Sequence, residues 1–139
     1  MASNIGNFLV QSLLNAAFGG VTYTPPATIF VALFTVAPTS LTAGTGGTEV
    51  TGGGYARAAV ANNTTNFPSI SGTTRVKTTG ANITFTTPSA NWGTVTAFAF
   101  YDASSGGNYL GGGDLTSSKT INAGDTVTFN TGNLTITVS

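Results

Sequence analysis

Short segments in which apolar and polar residues alternate dominate the second half of this chain. In residues 134–139, LTITVS, every second residue is apolar and the others are Thr or Ser, a pattern typical of a strand with one buried face. Similar segments bounded by turn residues predict strands at 55–61, 75–79, 81–86, 94–102, 108–116 and 125–130. Because no second helical pattern supplies the crossovers that parallel strands need, the sequence predicts a mainly β fold, an antiparallel β-sandwich or jelly roll.

One helix is predicted, over about residues 4–18. Ser3 or Asn4 can cap its start, and Gly19 and Gly20 predict a left-handed stop. Apolar residues at helical spacing form one face: Ile5, Phe8, Leu9, Leu13, Ala16 and Ala17. The opposite face, which includes Asn7 and Gln11, is polar but uncharged, and we expect it to be a candidate contact with a partner.

A further strand is predicted at residues 28–35, TIFVALFT. It is apolar on both faces, which favours a strand buried on two sides. At 139 residues the whole chain, 1–139, is predicted to form a single domain that can bury its own core.

Charge is scarce in this sequence. Asp, Glu, Lys and Arg make up 6% of the residues and the formal net charge is zero, whereas about 25% is usual in soluble domains. Such a chain lacks the basic field that nucleic acids require, so no nucleic-acid partner is expected. A surface of Thr, Ser, Asn and Gly indicates a protein that is covered by partners or that stays inert to salt and pH.

The residue types also exclude most catalytic chemistry. There is no Cys and no His, so thiolate chemistry and the commonest general base and metal ligand are both missing. Asp102, Asp114 and Asp125 sit at three predicted strand ends, where a calcium site is geometrically possible, but their spacing does not demand one. We predict no catalytic residue, no cofactor and no metal.

The run TEVTGGGYARAAV at residues 48–60 holds three consecutive glycines between Glu49 and Arg57. A phosphate-binding loop would need its glycines to open a helix, whereas this run continues into a strand-like segment. It therefore predicts a tight turn or bulge. Glu49 and Arg57 are expected to pair with each other or with a neighbouring subunit.

Residues 62–80 form the loosest stretch of the sequence. They predict a long exposed loop, or an arm that contacts a neighbouring subunit, with a marginal strand inside it. Arg75 and Lys77 lie in this stretch and are candidate contacts for assembly.

Two observations bear on the location of the protein. The apolar runs at 8–18 and 28–35 are too short and too often interrupted to span a membrane, so no membrane partner is expected. The N-terminus lacks the Lys or Arg that opens a secretory signal peptide, so synthesis in a cytoplasm without export by that route is expected.

Several segments taken together resemble a family of small virion proteins of tailed bacteriophages. The resemblance rests on TEV-GGGYAR, on W-G-V, and on YDA-SGGN-L within YDASSGGNYL, and it covers nearly the whole chain. Members of this family are described as capsid decoration or cement proteins, as tail-fibre-like proteins, or as virion structural proteins. The sequence departs from the family at 62–80 and in its uncharged N-terminal helix.

The resemblance implies a non-enzymatic building block made in a host bacterium and present in many copies on the virion. The main expectation is a capsid cement protein that binds the outside of the major capsid protein as a homotrimer and stabilises the shell. The alternative is a tail fibre or baseplate module, either structural or glycan-binding.

Overall fold

Two long apolar strands form the centre of the fold, in a computed structural model that describes residues 3–138. In chain order the elements are β1 Ser3–Ile5, α1 Asn7–Ala17, β2 Thr28–Val36, β3 Thr48–Glu49, β4 Ala58–Ala61, β5 Val76–Thr78, β6 Ile83–Thr84, β7 Gly93–Tyr101, β8 Tyr109–Ile121, β9 Thr128–Phe129 and β10 Thr135–Thr137. β2 and β7 pair antiparallel from Phe30 opposite Tyr101 to Phe34 opposite Ala97. The prediction of a mainly β, antiparallel chain with one helix is confirmed.

The main sheet has six strands in the order β1, β8, β7, β2, with both β3 and β4 on the outer edge of β2. β4 pairs with residues 28–31 of β2, and β3 pairs with Phe34 and Val36. The chain therefore leaves this edge after Glu49 and returns to it at Ala58. The glycine run lies in the excursion between these two short strands.

Two short ribbons form a second layer over one face of the main sheet. One ribbon pairs β5 with β10, and the other pairs β6 with β9. Between the layers lies the larger apolar cluster, which includes Val31, Leu33, Phe98, Phe100 and Leu134. The central strands contribute large aliphatic and aromatic side chains to this face, as their apolar sequences predict.

The opposite face of the sheet is also buried, but with smaller residues. Ala32, Ala97 and Ala99 are fully buried there beside Phe34 and Tyr109. The loop 37–47 lies over this face, and a side chain at Gly44 would collide with the ring of Tyr109. β2 is thus buried on both sides, as its sequence predicts.

The start of the chain differs from the prediction. The helix begins at Asn7 and not at residue 4, and residues 3–5 form β1, which pairs with residues 111–113 of β8. All three partner residues are glycines, and a side chain at Gly111 would come within 2.7 Å of the Asn4 carbonyl oxygen. Because glycine permits this close approach, Ile5 is drawn into the sheet and buried as a strand residue.

The strand lengths differ as well. β3 was not predicted, β4 is shorter than the predicted 55–61, and β8 runs past the predicted 108–116 to Ile121. The strands of the second layer contain only two or three paired residues each. Their lengths were overestimated because alternation identifies residues that suit a strand but does not give the length over which a partner strand pairs with them. Ser139, at the end of the last predicted strand, lies outside the described residues.

Residues 62–80 are exposed over much of their length but are tied to the core at several points. The ring of Phe67 packs edge-on against Phe100 with centroids 6.3 Å apart. The Gly80 N–H donates to the Asn66 carbonyl at 2.7 Å, and β5 lies within the marginal strand that the sequence predicts. The middle of this segment, residues 68–75, is exposed throughout.

Candidate functional site

A gap in the sheet edge between β3 and β4 is filled by Tyr55. Leu33 faces this gap, and its N–H donates to the Tyr55 hydroxyl at 3.0 Å. That hydroxyl donates in turn to Glu49 Oε2 at 2.7 Å. A side chain thus replaces the missing strand partner of a buried backbone group, which would otherwise be costly to leave unpaired.

Glu49 and Arg57 form a two-pronged ion pair across the same gap. Arg57 Nε donates to Glu49 Oε2 and Nη2 donates to Oε1, both at 2.9 Å. The Arg57 side chain is only 7% exposed, against 24% for Glu49. The expectation that these two residues are partners is met within one chain, so both charges are already neutralised by an internal contact.

The remaining contacts of Arg57 fix the loop between β7 and β8. Its Nη1 donates to the carbonyls of Ala103 and Gly106 at 2.9 Å each, and the guanidinium lies 3.8 Å from the ring centre of Tyr101. Burial by itself would lower the pKa of Arg57, but the hydrogen bonds and charge of Glu49 outweigh it and raise that pKa. Arg57 is thus a fixed cation that joins β3, the end of β7 and the loop between β7 and β8.

The glycine run is a turn, as predicted, and its geometry differs from that of an anion-binding loop. Gly52, Gly53 and Gly54 all have positive φ angles, of 73°, 57° and 74°. The Gly53 carbonyl accepts hydrogen bonds from Ser89 N at 2.8 Å and from Trp92 Nε1 at 2.9 Å. The turn therefore presents an acceptor to the core, and a strand follows it where a phosphate site would need a helix.

Two tyrosine hydroxyls differ in whether they have partners. Tyr55 has both a donor and an acceptor, whereas the buried Tyr109 hydroxyl has no hydrogen-bond partner within residues 3–138. We expect Tyr55→Phe to lower the free energy of unfolding by about 1–3 kcal/mol, because Leu33 N–H loses its acceptor. The same change at Tyr109 is expected to be neutral or stabilising. Urea unfolding of both variants tests the pair, and equal losses would contradict these hydrogen-bond assignments.

Alkaline pH is expected to destabilise the fold. Burial raises the pKa of both Tyr55 and Tyr109 far above the ordinary value near 10. The unfolded chain therefore loses these protons first, and stability that is complete below pH 10 falls as the pH rises further. Each protected tyrosine contributes a slope of about 1.4 kcal/mol per pH unit. Urea midpoints between pH 8 and 11 measure this slope, which Tyr109→Phe is expected to reduce; an unchanged slope would contradict it.

An apolar cleft of about 540 Å³ opens at one end of the two layers. Its floor and walls are mainly aliphatic and aromatic: Ile5, Leu9, Ile29, Phe67, Ile70, Phe100, Leu110, Leu134, Ile136 and Val138. The charged residues that line it are Arg75 and Lys77, and both are cations. Thr79 also lines it, is only 3% exposed, and has an Oγ1 without a hydrogen-bond partner in the described chain. The cleft is suited to an apolar ligand that brings a hydrogen-bond acceptor.

The far end of α1 presents apolar side chains to solvent. Phe18 is 84% exposed, and Leu13, Leu14 and Val21 are also exposed. The predicted apolar face of this helix is thus only partly used by its own chain, since Leu9 packs on the core whereas Phe8 is exposed. Periodicity identifies an apolar face, but it does not tell whether the same chain covers it.

The predicted assembly residues fall into three groups. Glu49 and Arg57 pair with each other, Arg75 and Lys77 line the cleft, and the helix residues Asn7 and Gln11 are exposed. Lys77 Nζ donates to the Pro68 carbonyl at 2.5 Å. The exposed residues Leu14, Phe18 and Val21 are not among the predicted contacts, although their 3-4 spacing is a signal of an apolar surface.

The three aspartates do not form a common site. Asp102 accepts two hydrogen bonds from Asn108, and Asp125 accepts one from the Asn122 N–H. Within residues 3–138 no three His, Cys, Asp or Glu residues are grouped as a metal site would require. Nor does that part of the chain contain a helix long and apolar enough to cross a lipid bilayer.

A comparison with family models gives the class of protein. The model described as Podophage GP4 fiber I protein gp80 matches residues 4–137. The chain therefore belongs to this family of phage fibre proteins, and the predicted resemblance to phage virion structural proteins is confirmed. No curated protein matches the chain at a significant level. The family description favours the tail-fibre alternative over the capsid cement interpretation.

Proposed function

We propose that this protein is a non-enzymatic structural subunit of a phage tail fibre and that it acts as an assembly of several identical copies. The observation that carries the proposal is the match to the fibre family over residues 4–137. The fold is consistent with that role, because one pair of its scarce charges is used internally. The Glu49–Arg57 pair connects parts of one chain.

A structural role is favoured over glycan binding by the position of the aromatic residues. Sugar-binding surfaces present flat aromatic rings to solvent, whereas Trp92 is buried and Tyr55 and Tyr101 are held in the network around Arg57. Among residues 3–138, the exposed aromatic side chains are Phe8 and Phe18 on and beside α1. These suit a contact between proteins better than one with a sugar.

Self-association is part of the proposal, as a homotrimer. A surface with few charges does not repel identical copies of the protein. Salt has few charges to screen on such a surface, so assembly is expected to persist at high salt. Many copies of a modest apolar contact add through avidity. The cement interpretation instead requires binding to the major capsid protein, so it makes a different prediction.

Fractionated virions test the proposal. Particles of the encoding phage would be separated into tail-free heads and tails, and this protein would be quantified in each by mass spectrometry. We expect it in the tail fraction, at a constant ratio to other tail proteins. Its absence from tails, with a constant ratio to the major capsid protein in heads, would overturn the fibre proposal and support the capsid exterior.

A further inference from the structure

The exposed end of α1 forms an apolar projection. Leu14 and Phe18 are one helical turn apart in sequence, Val21 follows in the terminal turn, and all three are exposed. The Val21 N–H donates to the Asn15 carbonyl at 3.1 Å, which holds Val21 against the helix end. Single exposed apolar residues are common, but three of them at one helix end, including a phenylalanine that is 84% exposed, mark a contact surface. We call Leu14, Phe18 and Val21 the helix tip.

The helix tip also lies at the end of α1 that carries a partial negative charge. The last carbonyl groups of a helix form the negative end of its dipole and favour a nearby cation. α1 has no basic residue in its last turn. A docking surface for the helix tip should therefore combine apolar walls with positive charge.

The apolar cleft has this combination. Its walls include Phe67, Ile70 and Ile136, and its charged lining residues are the cations Arg75 and Lys77. The cleft of about 540 Å³ is within the range that holds several side chains.

A chain does not place its helix tip in its own cleft. Leu9 before the tip and Tyr23 after it line the cleft, whereas Phe18 at the tip is 84% exposed. A second copy of the chain can bring its free tip to this cleft. Such a contact joins two different surfaces, so each copy keeps one free tip and one free cleft for the next.

We infer that the helix tip of one copy docks in the apolar cleft of a second copy of this chain. This inference rests on the self-association in the proposed function, and it identifies the two surfaces that form the contact. Because a few side chains bury less area than a stable two-chain interface needs, the contact is stabilised by repetition, in a closed ring or a head-to-tail series of copies.

Light scattering on three variants tests both surfaces. Phe18→Ser removes the helix tip and Ile70→Glu places an acid at the cleft, and both positions are exposed, so the fold should persist. Val36→Ser is the matched control, since Val36 is exposed but belongs to neither surface. We expect the wild type and Val36→Ser to be oligomers of equal mass, and the other two to be monomers. A monomeric wild type, or an oligomer that survives either change, would overturn the inference.

Disulfide trapping locates the contact, because the chain has no native cysteine. Phe18→Cys and Ile70→Cys chains, one carrying a small tag, would be mixed under mild oxidation. We expect tip-to-cleft dimers to form several-fold faster than dimers within either variant, because linked residues must lie within about 7 Å. A Val36→Cys chain mixed with Ile70→Cys is the control.

Dimers of Phe18→Cys alone, at the same rate, would show tips packed on one another and overturn the inference. If the traps fail while the protein is found in tails, only this contact is wrong and the fibre role stands. If the traps succeed and the protein is absent from tails, the contact stands and the fibre role is wrong.

Discussion

Replacing Glu49 with glutamine is expected to lower the free energy of unfolding by about 3 kcal/mol. The change leaves the Arg57 guanidinium buried, with a 7% exposed side chain, and removes the charge that offsets its desolvation. A glutamine amide also presents N–H groups towards Arg57, where the carboxylate accepted two hydrogen bonds. The loss is measured by urea unfolding followed through Trp92 fluorescence.

The same acid-to-amide change at Asp125 is the control. Asp125 is exposed, and its Oδ2 accepts the Asn122 N–H, a bond that asparagine can also form. We expect a loss of less than about 0.5 kcal/mol there, as is usual for surface substitutions. A Glu49→Gln variant as stable as Asp125→Asn would show that the ion pair does not stabilise the contact between β3 and the loop that joins β7 to β8.

Replacing Leu134 with alanine is expected to cost about 3–4 kcal/mol. Leu134 is 0% exposed in the cluster between the main sheet and the ribbons, and its carbonyl accepts the Thr79 N–H at 3.1 Å. The truncation leaves a cavity where the two layers meet, and the short strands beside it have few hydrogen bonds of their own. Thermal and urea unfolding measure the loss.

Leu13→Ala is the matched control for that truncation. Leu13 is exposed on α1 and is not part of the helix tip, and alanine is at least as good a helix former as leucine. The change is expected to fall within about 0.5 kcal/mol of wild type. Equal losses at the two positions would mean that the second layer is not part of the cooperative core.

The sequence predicts the buried strands well because their composition leaves few alternatives. The segment 28–35, apolar on both faces, is β2 from Thr28 to Val36, and the predicted 94–102 is β7 from Gly93 to Tyr101. Both strands are long and apolar on both faces, so both are buried on two sides. The glycine turn at 52–54 was predictable for a similar reason, since consecutive glycines followed by a strand pattern favour a turn.

The sequence predicts contacts between distant segments less well. β1 exists because the glycines at 111–113 let residues 3–5 lie against them, and local pattern gives no sign of this pairing. Tyr55 as a substitute partner for Leu33 depends on where β3 ends and β4 begins. The helix tip was missed because an apolar helix face has the same spacing whether its own chain or another chain covers it.

The role in a tail fibre is tested most directly by electron microscopy of intact phage particles labelled with an antibody against this protein. The fibre proposal predicts label at the tail, on its fibres, with the head unlabelled. Label distributed over the surface of the head, with none at the tail, would contradict it.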